Sequence, residues 1–101
     1  MSSIYTPDKW QILDMGNHKR VFGVWSGGYL SGDSWKLSSG IEGIHGDETH
    51  WILPQTSGSV YYLHKLMEGS TVYGMGIVKQ ILEVNPQAKR VTIEDVLNDY
   101  K

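Results

Sequence analysis

Apolar and polar residues alternate through the first two thirds of the chain, which predicts strands joined by short turns. Trp10 to Met15 is the first expected strand, ended by Gly16-Asn17, two residues that tolerate a left-handed backbone. Lys19 to Ser26, dense in Val, Phe and Trp, completes a hairpin with it. A glycine-rich connection, Gly27 to Asp33, leads into a strand from Ser34 to Ile41. Here Trp35, Leu37 and Ile41 fall on one face and Ser34, Lys36 and Ser38 on the other. Such alternation suits an antiparallel sheet with one solvated face. His50 to Leu53 is a short strand stopped by Pro54, and Ser59 to His64 is the fifth.

The period changes after Gly69. Ser70 is the expected helix cap, since a seryl oxygen accepts from the first free backbone amides. From Thr71 to Val84, Gly74, Ile77, Val78, Ile81 and Leu82 line one helical face, and Asn85-Pro86 ends the helix. The last segment offers two readings. Ile93, Val96, Leu97 and Tyr100 have helical spacing after Thr92, with Val91 and Val96 placed for a hydrophobic staple. The rival is a sixth strand through Val91-Thr92-Ile93, which Asp95 disfavours by breaking the alternation.

The order of elements, strands first and helices last, predicts an α+β fold. Its expected form is an antiparallel sheet of about five strands, a β-meander, with one or two C-terminal helices packed on one face. Residues 1–101 are expected as a single domain, with 1–9 as a flexible lead-in.

Composition narrows the function. A chain of 101 residues carries one core, and its four Trp and six Tyr supply more aromatic area than a disordered segment has. Net charge is −2 and the nine basic residues are scattered, so nucleic acid is not an expected partner. The absence of cysteine excludes disulfides and thiolate metal sites and points to a cytoplasmic setting. No apolar run reaches membrane-spanning length, and the first residues lack a signal-peptide layout, so no membrane association is expected.

Three segments carry candidate chemistry. In the first, Trp25, Tyr29 and Trp35 flank Gly27, Gly28 and Asp33, joining stacking area to a backbone that a ligand can approach. In the second, His45, Asp47 and His50 supply the ligand types of a two-His-one-carboxylate metal site, with His18 and His64 as further ligands. In the third, Ser59 and His64 are five apart on a strand, which points them to opposite faces. They cannot pair as nucleophile and base without a bulge, and an ordinary turn is the expected reading. Gly74 and Gly76 form no dinucleotide fingerprint, because no third glycine follows.

The function expected is that of a small non-enzymatic binding module contacting another protein, or a second copy of itself. Its surface is drawn from Trp25, Gly27, Gly28, Tyr29, Asp33 and Trp35, with Trp51 as a neighbour. The alternative is a small-molecule or carbohydrate binder using the same aromatics. A third reading is a metal-dependent enzyme at His45, Asp47 and His50. No cofactor is expected.

Overall fold

The computed structural model describes residues 3–27 and 32–100. Among these residues eight strands form two four-stranded sheets, and two α-helices pack on them. The strands are β1 (Ile4–Tyr5), β2 (Lys9–Asp14), β3 (Lys19–Trp25), β4 (Ser34–Leu37), β5 (His45–Gly46), β6 (His50–Pro54), β7 (Val60–His64) and β8 (Lys89–Val91). The helices are α1 (Val72–Val84) and α2 (Ile93–Asp99). The α+β class is as the sequence predicts, and β2, β3, β4, β6 and β7 correspond to its five expected strands.

The single meander is not. One sheet, the back sheet, has the order β4-β3-β2-β8, and the front sheet has the order β1-β7-β6-β5. After β4 the chain keeps to β3, with Ser38 N–H donating to Val21 O at 2.8 Å and Ile41 N–H to Lys19 O at 2.9 Å. It then crosses over. Ile41 bridges antiparallel to Gln55, and Glu42 N–H donates to Pro54 O at 2.9 Å. Gly40 makes the corner at φ +148, where a Cβ would stand 2.9 Å from His18 Cδ2. One sheet thereby becomes two, because the inner residues of both find more apolar area face to face than a single open sheet offers.

Trp10, Ile12 and Val21 from the back sheet and Leu53, Tyr61 and Leu63 from the front sheet form that shared core. Burying each large side chain contributes on the order of 1.5–3 kcal/mol. A second cluster, Leu13, Phe22, Val24 and Val78, lies on the other face of the back sheet beneath α1. The helices do not share one face, as the sequence suggests they would. Helix α1 covers the outer face of the back sheet, whereas α2 adds Ile93 and Val96 to the core between the sheets.

The expected lead-in also has a structural task. Ile4 and Tyr5 pair parallel with Val60 and Tyr61, Pro7 is buried, and Asp8 N–H donates to Val24 O at 2.9 Å. This parallel pair is invisible to local periodicity because its partner is more than fifty positions away.

The last segment is the helix its spacing favours; of the rival strand Val91-Thr92-Ile93 only Val91 lies in a strand, at the end of one that begins at Lys89. Val91 ends β8, paired with Ile12, and Thr92 then caps α2. Thr92 N–H donates to Asp95 Oδ2 at 3.0 Å, and this bond is the main cause holding the Asp95 carboxyl below its usual range. At α1 the cap is Thr71 and not Ser70. Thr71 has the extended backbone of a cap, and its Oγ1 accepts from Gly74 N–H at 3.1 Å.

Gly74 is buried and lets α1 close onto the sheet, since a Cβ there would stand 2.8 Å from Val24 Cγ2. Gly76, two residues on, is exposed with open space around it. Gly76→Ala is therefore expected to raise stability by about 1 kcal/mol through helix propensity alone. A urea unfolding curve checks this; an unchanged or lower midpoint would show that Gly76 is needed for something other than helix formation.

Candidate functional site

Strand register decides which of the expected surface residues come together. Trp35 stands opposite Val24 and Trp25 opposite Ser34, so the two indoles project from opposite faces of the back sheet. Trp25 turns inward, half-buried against the core between the sheets, with its ring edge-on to Tyr5 at 6.3 Å between centroids. Trp35 turns outward. Its ring stacks on buried Phe22, centroids 5.6 Å apart and planes 22° from parallel, and remains 41% exposed.

Trp51 belongs to the front sheet and packs against the inner core. It covers the edge glycine Gly46, and Lys65 Nζ sits 4.2 Å from the centre of its ring. Asp33 is exposed and Gly27 half-buried at the ends of the glycine-rich connection. Gly28 and Tyr29 lie outside the described residues. Of the expected surface, Trp35 thus keeps a ring free for contact at a fixed orientation, while Trp25 and Trp51 spend most of theirs on the core.

Neighbouring elements extend the Trp35 surface. Trp35 shares Phe22 and Val24 as neighbours with Gly74 of α1, and α1 exposes Tyr73 and Met75 on either side of that glycine. β4 is also an outer strand, so its second edge is unpaired among the described residues. The sequence does not reveal Tyr73 and Met75 as surface apolar groups in this setting, because helical spacing alone cannot say how far α1 is covered.

The histidine-rich segment is organised as a turn. Asp47 Oδ1 accepts from Thr49 N–H at 2.9 Å, His50 N–H at 2.7 Å and Thr49 Oγ1 at 3.3 Å. These bonds, His50 N–H first, lower the Asp47 carboxyl below its usual range. His50 lies opposite His64, with ring centroids 5.0 Å apart, and its Nδ1 is 2.8 Å from Thr49 Oγ1. His64 Nδ1 accepts from Leu66 N–H at 3.2 Å, and His18 Nε2 accepts from Arg20 Nε–H at 3.0 Å. Among the described residues no three His, Cys, Asp or Glu side chains are grouped to hold a metal ion. One oxygen of the expected triad's carboxylate, Asp47 Oδ1, is engaged by its own turn.

No family model, curated protein or solved structure matches this chain. Its site is therefore assigned from its own geometry. Among the described residues no helix is long and apolar enough to cross a membrane.

Proposed function

We propose that the chain is a non-enzymatic binding module that contacts a protein, either a partner or a second copy of itself, through the surface around Trp35. One observation carries the reading: a tryptophan 41% exposed yet held in place by stacking on a buried phenylalanine. Tryptophan is among the residues that anchor interfaces, and a ring already fixed loses little rotamer freedom on binding. Tyr73 and Met75 add apolar area on the helix over the same face. The absence of cysteine supports placing this module in the cytoplasm.

The test uses Trp35→Ala. Self-association is followed by sedimentation over a range of protein concentrations, partner binding by capture from a lysate, and folding by urea unfolding. The expected result is a loss of association of about tenfold or more, as truncating an anchor costs roughly 2 kcal/mol, with cooperative unfolding retained. Association that falls only in proportion to the folded fraction would overturn the proposal.

A further inference from the structure

Away from Trp35, the outer strands of the two sheets face one another across a gap. Lys36 of β4 reaches over the ring of Tyr5 of β1, with Nζ 5.2 Å from its centroid. Behind this contact lies a cleft of about 290 Å³, walled by β4 and the residues after it, by Arg20, and by the turn into β7. Lys36 stands opposite Gly23, so it projects from the other face of β4 than Trp35 does. Trp35, Tyr73 and Met75 do not line the cleft.

Three features of the cleft point to one chemistry. The first is charge. Among the described residues Arg20 and Lys36 both line it and no carboxylate does, in a chain whose net charge is −2. The one ion pair among the described residues, Lys19 with Asp99, lies elsewhere. Arg20 is oriented by the bond from its Nε to His18, which leaves its terminal N–H groups as donors.

The second feature is Tyr61. This residue forms part of the wall and is 1% exposed, yet its hydroxyl has no hydrogen-bond partner among the described residues. A buried hydroxyl left without a partner costs about 1–3 kcal/mol, so such groups are rare unless something completes them. Burial, reinforced by neighbouring Tyr5, pushes its pKa up to about 12. At neutral pH the phenol is therefore a proton donor in want of an acceptor.

The third feature is the set of serines. Ser57 and Ser59 hold their hydroxyls 3.2 Å apart beside the cleft, and a hydroxyl rotates to donate wherever an acceptor arrives.

We propose that this cleft binds a small ligand through an oxyanion, a phosphate or carboxylate group, with Arg20 and Lys36 supplying charge and Tyr61 a further donor. Guanidinium, ammonium and hydroxyl donors to an anionic oxygen are the stronger class of hydrogen bond. The volume fits a compact metabolite and not a polymer.

The experiment titrates the isotope-labelled full chain with sodium phosphate, with sodium succinate and, as the salt control, with sodium chloride. Amide chemical shifts are followed throughout. Saturable changes at Tyr5, Arg20, residues 36–39 and residues 57–61 with either oxyanion, absent with chloride, are expected; which oxyanion gives them names the ligand class. Lys36→Gln, at an exposed position, should weaken that binding about tenfold with the fold intact. Tyr61→Phe should weaken it and also raise the urea midpoint, because it removes the unpaired hydroxyl. A structural role for Tyr61 would instead lower that midpoint. No saturable change with either oxyanion, a response equal to that of chloride, or binding indifferent to Lys36→Gln would overturn the proposal.

Discussion

Trp10→Ala should cost about 3–5 kcal/mol, the range for emptying a fully enclosed aromatic site. A domain of this size holds only about 5–15 kcal/mol in total, so the variant is expected to sit near its unfolding midpoint at ambient temperature. Trp10 is fully buried at the centre of the core between the sheets, where Ile12 and Val21 of the back sheet meet Leu53 and Leu63 of the front. Its indole also links the layers, with Nε1–H donating to His64 O at 2.8 Å. Trp10→Phe separates the two contributions. It keeps most of the apolar volume but leaves a carbonyl without its donor, a loss of about 1–3 kcal/mol. Urea unfolding of both variants measures the difference. A loss below about 1.5 kcal/mol for Trp10→Ala would mean that the two sheets are not packed through this ring.

The second large effect is expected at Gly74. Gly74→Val should lower stability by about 3 kcal/mol, at the upper end of the usual cost of overpacking. Already the first added carbon would overlap Ser70 Oγ and stand 2.8 Å from Val24 Cγ2, with Phe22 Cε2 at 3.5 Å. Helix α1 has no room to retreat without uncovering Val78 and the cluster beneath it. The contrast with Gly76→Ala is the sharper test, because both substitutions add a side chain to a glycine of one helix. Propensity predicts a gain at both positions and packing reverses the sign at Gly74. If Gly74→Val were neutral, α1 would have to stand further from the sheet than the structure places it.

Oxyanion binding in the Tyr61 cleft, unlike these two effects, depends on four stretches of chain far apart in sequence. Tyr5 comes from a strand too short to show periodicity. Arg20 and Lys36 read as ordinary solvated charges on alternating strands, and Ser57 and Ser59 as turn residues. No spacing rule joins them, because their proximity comes from the pairing of β1 with β7 and the placement of β4 at the open side of the sandwich. Conversely, the glycine-rich aromatic segment was conspicuous in sequence, but alternation sends Trp25 and Trp35 to opposite faces of one sheet. A cluster of like residues along the chain is not a cluster in space when the side-chain period is two.

Much of the local structure was legible from the residues alone. The five principal strands, the helix from Val72 to Val84 with Gly74 on its packed side, and the capped helix after Thr92 all follow from interactions within a few positions. Alternation, helical spacing and cap chemistry each act between near neighbours, and near neighbours are what a sequence displays. The split into two sheets, the strand at Ile4–Tyr5, the separate berths of the two helices and the cleft at Tyr61 were decided by tertiary structure. Each depends on which apolar face finds which, and that choice is settled by the total area withdrawn from water across distant segments. Local patterning states that a face is apolar. It does not name the face that will cover it.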